Sequence, residues 1–424
     1  MKILQFGGGN FLRCFFDWML QKVSDAAKVQ YDVTLVQLTP DEPVYDIAGA
    51  LGYHVLLRGY DGPEYVETLD SVGVIKNAVS PIAGMDEYLR AGCCGEISLI
   101  VSNSTEAGIF FDRNAKAPHN FPSRLAVLLY ERARRSLPPL MVMAMELNDR
   151  SGDLLKRALL RYGGSFGYGK EYFDYLASCD FYNTLVDRIV PGYPEDAAAR
   201  AASLIGWEDK WLTSGERFHL FVIEGNKRIL DEIPFHKAGL NVIVTDDKLG
   251  FYHDRKVRIL NGAHTASVPS ALLAGIENVD AFASGEPHAS WLSSMIHDEI
   301  CRSMDDSEET HAYADDVTTR FRNPALGHKF RSIALNSVSK ADARMSPTIA
   351  DYFGKTGFLP PKMTEAASRM FELYSRGPVA ALPGGPLKLG DFGQLKGLFP
   401  EEMVESFFPS LPRNAKEALI RAIR

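Results

Sequence analysis

The chain of 424 residues has too few cysteines to be a disulfide scaffold: five, Cys14, Cys93, Cys94, Cys179 and Cys301, an odd number with no CxxC pair and no zinc-ligand spacing. The ten histidines include no HExxH, and 297-HDEIC-301 offers only two potential ligands on one helix, so no metal is expected. A membrane span needs about 20 consecutive apolar residues; runs such as 139-PLMVMAMEL-147 fall far short. Basic excess is missing as well. Lys plus Arg number 46 against 54 Asp plus Glu, for a net charge of −8, which argues against a nucleic-acid or anionic-membrane surface. No helix-turn-helix signature, internal repeat, low-complexity tract or N-terminal targeting segment stands out. These absences lead us to expect a cytoplasmic protein with a small-molecule partner, no nucleic acid and no membrane.

What is present alternates. Apolar runs at 2–6, 33–38, 54–59, 97–102, 139–145, 219–224 and 241–245 read as strands. Amphipathic stretches at 11–23, 85–91, 124–137 and 152–164 read as the helices between them. Apolar runs without alternation, separated by helices, are what a parallel sheet covered on both faces requires. Segment 64–79 alternates better and predicts an antiparallel excursion. After about Asp247 clear strands vanish and helical patterns take over, at 254–268, 288–304, 328–340, 362–376 and 414–424. The expected fold is an α/β Rossmann-type N-terminal domain, 1–247, followed by an all-α C-terminal domain, 248–424.

The first strand runs into 7-GGGNFLR-13 and then a helix. Gly7 and Gly9 supply the GxG of a dinucleotide fingerprint, whose glycines let the backbone turn sharply and approach a pyrophosphate. Leu12 stands at the third glycine position of the standard motif. Candidate cofactor residues are therefore Phe6, Gly7, Gly8, Gly9, Asn10, Phe11 and Leu12. At the end of the second strand Gln37 takes the place of the acid that normally holds the adenosine ribose, with Asp41 and Glu42 a few residues on. No Lys or Arg lies between Lys28 and Arg58 to receive a 2′-phosphate, which favours NAD over NADP. The polar cluster 102-SNSTEAG-108 follows a buried run, and strand carboxyl ends face the ligand crevice. Asn103 and Glu106 join the candidates, although Ser104 or Thr105 as a helix N-cap is an equally good local reading.

Further on, 256-KVRILNGAH-264 sets Lys256, Asn261 and His264 on one helical stretch. At about 100° per residue they fall within roughly 140° of arc. A neutral lysine takes a proton from an alcohol, and an amide and an imidazole steady the charge that develops on oxygen. A helix N-terminus and the neighbours Arg255 and Arg258 would push the amine toward neutrality. The spacing alone equally fits a solvated lysine, a capping asparagine and a structural histidine.

The stretches 5-QFGGGNFLR-13, 102-SNSTEAGI-109, 220-LFVIEG-225, 256-KVRILNGAHT-265 and 320-RFRNPALGHKFRSIALNSVSKADAR-344 resemble the polyol-specific long-chain dehydrogenase/reductase (mannitol dehydrogenase) family. Within it the match is closest to the hexuronate-reducing branch, in particular the tagaturonate reductases. The resemblance implies an NAD-dependent oxidoreductase for the reversible, metal-independent reduction of D-tagaturonate to D-altronate. Lys256 would be the general acid/base, with Asn261 and His264 clamping the oxygen. It also implies a cationic partner for the substrate carboxylate, for which Arg320, His328 and Lys340 are the candidates, with Arg344 beyond them. The alternatives are a mannitol 2-dehydrogenase, mannitol-1-phosphate dehydrogenase or fructuronate reductase of the same family. From another class, a non-catalytic NAD-binding sensor remains, though it gives no reason to keep the three residues together.

Overall fold

The computed structural model describes residues 1–105 and 107–423, which divide into two compact units, Met1–Tyr252 and His253–Arg424. The first unit is built on strands β1 (Lys2–Phe6), β2 (Asp32–Val36), β3 (Tyr53–Asp61), β4 (Glu64–Val72), β5 (Ile75–Val79), β6 (Ile97–Ser102), β7 (Met141–Ala144), β8 (Asp180–Asp187), β9 (Thr213–Glu216), β10 (Leu220–Glu224) and β11 (Val242–Thr245). Eight of them form one sheet in the order β11-β10-β8-β7-β6-β1-β2-β5. All neighbours run parallel except β8 and β10.

Because side chains alternate across a strand, each run feeds two cores. Ile3, Val33, Leu35, Leu99, Val101, Met141 and Met143 pack with Phe15, Phe16, Met19 and Leu20 on one face. Leu4, Phe6, Val36, Ile100 and Val142 pack with Leu125, Leu128, Leu129, Leu155 and Leu159 on the other. This double burial explains the unalternating sequence. Helix Phe121–Arg134 starts where it does because Asn120 accepts from the Ser123 N–H while the Ser123 hydroxyl accepts from the Asn120 N–H, a reciprocal cap.

Three details depart from the sequence reading. Segment 54–59 lies outside the main sheet: β3 pairs antiparallel with β4 and parallel with β9 in a separate three-stranded sheet. Segment 64–79 breaks at Gly73, and only its first half is the antiparallel excursion; β5 returns to the parallel edge beside β2. Strand β8 escaped notice because Asn183, Thr184 and Asp187 interrupt its apolar run. These polar groups are buried; Asn183 accepts from the Asp153 N–H and the Thr184 hydroxyl donates to the Ala144 carbonyl.

The second unit is helical apart from a two-residue ladder, β12 (Val379–Ala380) with β13 (Leu387–Lys388). Helix Ala263–Ala274 is buried from Ala263 to Pro269 without a polar face, as a central helix must be. It packs against helices Phe330–Ile333, Ser337–Thr356 and Pro361–Ser375. The segment expected as one helix over 328–340 breaks at Asn336, which takes a left-handed φ of 58°, and the long helix begins after it. Among the described residues, no helix is long and apolar enough to cross a membrane.

Candidate active site

In the first unit, β1 lies between β2 and β6, so its carboxyl end opens at the point where the strand order reverses, the customary ligand position of such sheets. Gly7 turns the chain there with φ +105°, and its N–H donates to the Val36 carbonyl. A Cβ on Gly7 would stand 3.4 Å from the Asn103 carbonyl, whereas Gly9 has open space around it. Gly9 and Asn10 are exposed, so this is the accessible lip of the turn. Arg13, itself buried, braces the turn from behind: it donates to the Gly8 carbonyl (3.0 Å), to Asn10 Oδ1 (2.6 Å) and to the Trp211 carbonyl. Beneath, Gln5 Nε2 donates to the Gly7 carbonyl and to Asp17 Oδ2, while Tyr53 donates to Asp17 and to the Arg13 carbonyl. Burial lifts the Asp17 carboxyl to about 7.

The other candidates of this unit divide by environment. Phe6 is core, set against Tyr88 and Phe121, and Leu12 is buried as well, so both offer only backbone. Phe11 is half-buried and stacks on Phe15. Gln37 does not stand free at a ribose position: its amide is buried and donates to the Pro40 and Glu42 carbonyls. The acid that reaches the turn is Glu42, which accepts from the Gly8 N–H (2.6 Å) and the Leu38 N–H (2.8 Å). It lies five residues beyond Gln37 because the intervening loop folds back. The Asn103 amide donates to the Met145 carbonyl (2.6 Å), tying the ends of β6 and β7 together. Ser104 caps no helix; with Ser102 it donates to the buried Glu146, whose carboxyl burial pushes up. Glu106 lies outside the described residues.

In the second unit, Lys256, Asn261 and His264 sit on one continuous helical run, but its middle, Lys256–Gly262, is a π-helix. The wider i→i+5 register makes Lys256 and Asn261 neighbours along a single turn, where an α-helix would splay them. Gly262 allows the turn to nestle against the next helix: a Cβ there would meet the Arg344 carbonyl at 2.9 Å. Lys256 lies well inside the run rather than at a helix N-terminus, and its arginine neighbours are engaged elsewhere. Arg255 pairs with Glu309 over the Tyr313 ring, and Arg258 pairs with Asp254 and Asp351.

His264 is buried, stacks on Phe321 (4.0 Å between centroids) and meets His328 edge-on. Burial holds its pKa well below the ordinary histidine range, and His328, Arg320 and Arg344 push in the same direction. The ring is therefore neutral, and its Nε2 is buried without a partner. His328 is likewise depressed, by burial and then by Arg320. The charged neighbours that depress the two rings, Arg320 and Arg344, are cationic. Arg344 donates to the Thr265 hydroxyl, which donates to the Asn261 carbonyl. Lys340 is tied to the Ile333 carbonyl, where it closes the end of a short helix; burial, then Arg344, lowers its pKa. Elsewhere in this unit His311 comes alongside His297 and Cys301, a grouping that no linear spacing reveals.

The mannitol dehydrogenase Rossmann-domain model matches residues 1–237, and the mannitol dehydrogenase C-terminal-domain model matches residues 248–377. The chain belongs to the mannitol dehydrogenase family. Its relatives include altronate oxidoreductases: that of Halalkalibacterium halodurans is 34% identical over 88% of this chain and 75% of its own length. The altronate oxidoreductase of Bacteroides thetaiotaomicron is 34% identical over 89% and 81%. Among solved structures, D-sorbitol dehydrogenase superposes with TM-score 0.83 at 19% identity, covering 99% of this chain and 91% of that one. Mannitol 2-dehydrogenase from Pseudomonas fluorescens, in ternary complex with NAD and D-mannitol, gives 0.76 at 18% identity over 100% and 90%. The protein is thus an oxidoreductase of the mannitol dehydrogenase family, with a Rossmann-like first domain and a helical second one.

Proposed function

We propose that this oxidoreductase interconverts D-tagaturonate and D-altronate with NAD(H), and that Lys256, Asn261 and His264 are its catalytic residues. The observation that carries the reading is the buried, neutral His264, whose Nε2 has no hydrogen-bond partner and whose pKa Arg320 and Arg344 help to depress. Such a site favours a substrate bearing a carboxylate over a neutral polyol, in keeping with the altronate oxidoreductase relatives. Arg320, buried at the end of its helix, ranks first as the carboxylate's partner; His328 and Arg344 complete the surround. Lys340, already closing a helix, ranks last.

The glycine turn fits a dinucleotide: Gly7 holds a left-handed conformation, Gly9 leaves the lip open, and Arg13 fixes the shape. Glu42 beside the turn favours a ribose hydroxyl and opposes a 2′-phosphate, which supports NAD over NADP. When bound, the nicotinamide supplies or accepts the hydride. In reduction Lys256 Nζ gives a proton to the ketone oxygen, and in oxidation it takes the proton back. Asn261 and His264 hold that oxygen by hydrogen bonds as its charge grows, and a neutral imidazole does so without adding a charge of its own.

A panel of D-tagaturonate, D-fructuronate, D-fructose and fructose 6-phosphate, each with NADH and NADPH, tests this. The expected result is turnover of tagaturonate with NADH; strong turnover of fructose with none of tagaturonate overturns the substrate. Arg320→Leu should raise KM for the uronate while leaving NADH affinity unchanged, and an unaltered KM removes Arg320 from the site.

A further inference from the structure

The cluster of His297, Cys301 and His311 lies apart in the chain from every residue given a catalytic role. His297 and Cys301 sit one turn apart near the end of the helical run His288–Cys301, and His311 sits in the first turn of Glu308–Phe321. Arg320 lies nine residues along that second helix, roughly 13 Å away at 1.5 Å per residue. One atom from each of the three residues falls within 4.8 Å of the other two.

The two imidazoles are stacked, 6° from parallel, with their Nδ1 atoms 3.2 Å apart. Each Nε2 faces a carboxylate: Asp306 at 2.8 Å from His311, and Asp315 at 3.4 Å from His297. A carboxylate only accepts, so the proton of a neutral His311 belongs on Nε2, against Asp306. The bare Nδ1 lone pair of His311 then faces the Nδ1 of His297 at 3.2 Å, and a positive partner lies between the two nitrogens. That is either a proton shared by the rings or a metal ion. Two nitrogens bound tetrahedrally at about 2.0–2.1 Å from zinc are themselves roughly 3.3 Å apart, close to the spacing found. Carboxylates behind the histidines are the usual outer partners of metal ligands. A shared proton has no need of a third donor, whereas a metal does, and Cys301 stands beside the pair.

We propose that His297 Nδ1, His311 Nδ1 and Cys301 Sγ bind a zinc-like divalent transition-metal ion that pins these two helices together. The thiol proton leaves to solvent as the sulfur–metal bond forms, and the fourth position is open to water. The histidines are partly exposed, which gives the ion a way in, while Cys301 is fully buried. The site is structural and takes no part in hydride transfer.

The test uses the full chain, prepared without a polyhistidine tag and stripped of metal. Zinc added and then gel-filtered should remain at about one ion per chain, and it should raise the melting temperature. Cobalt(II) in its place should give an intense near-ultraviolet thiolate-to-metal absorption that vanishes in Cys301→Ser. Asp306→Asn should weaken zinc binding about 10–100-fold, and His311→Gln should abolish stoichiometric retention with turnover kept. Should Cys301→Ser fail to fold, the wild-type cobalt spectrum and the partly exposed His311 decide. No retained zinc, no thiolate band and an unmoved melting temperature overturn the proposal and leave a proton between the rings.

Discussion

Asp17→Asn should stabilise the protein relative to wild type by an amount that grows with pH. Asp17 is fully buried beneath the glycine turn, and burial raises its carboxyl from the ordinary 3.8 to about 7. The folded protein therefore keeps this proton up to about pH 7, while the unfolded chain releases it near pH 4. Between those limits the unfolded state binds fewer protons, so stability falls as pH rises and levels off above about 7. From pH 5 to that plateau is about two pH units, which at about 1.4 kcal/mol each comes to about 3 kcal/mol. Asparagine keeps the shape without ionising, and its amide can serve Gln5 Oε1, which is buried without a partner. Urea unfolding at pH 5 and pH 8, followed by tryptophan fluorescence, reads the difference: the advantage of the variant should be about 3 kcal/mol larger at pH 8. An advantage equal at the two pH values would show that Asp17 ionises freely in the folded state and would refute the reasoning.

Lys256→Ala should lower turnover about 10²–10⁴-fold with NADH binding kept, and a wild-type rate would remove it from the chemistry. Glu42→Gln should shift the preference toward NADPH by about tenfold, the effect of about 1.4 kcal/mol; an unchanged NADPH/NADH ratio of kcat/KM would count against the ribose role. Asn120→Ala, which removes the reciprocal cap, should cost about 1 kcal/mol in unfolding free energy without changing kcat, and a fall in kcat would mean that the cap does more than start its helix.

The sheet was legible because burial on both faces writes long apolar runs, as in β1 and β6, and a glycine turn after the first of them marks the ligand end. The two-domain α/β-then-helical order could likewise be read from where those runs stop. Strand β8 was not, since its polar residues find partners inside the fold rather than at its surface. Gln37 looked like the ribose position because it ends the strand, yet only the path of the following loop decides that Glu42 reaches the turn. The Lys–Asn–His spacing was visible, but the π register was not: apolar periodicity over seven residues does not distinguish the two helix types. His311 illustrates the remaining blind spot. Ligands that meet across two helices leave no mark in linear spacing.

The wide turn at Lys256–Gly262 accommodates one residue more than an α-helical path of the same course. Regularising these seven residues into ordinary α-helix with none removed would carry the amine of Lys256 about 100° around the axis relative to His264, whereas deleting one of them would keep the two ends of the run in phase. The extra residue of the wide turn thus sets the angle between the amine and the imidazole.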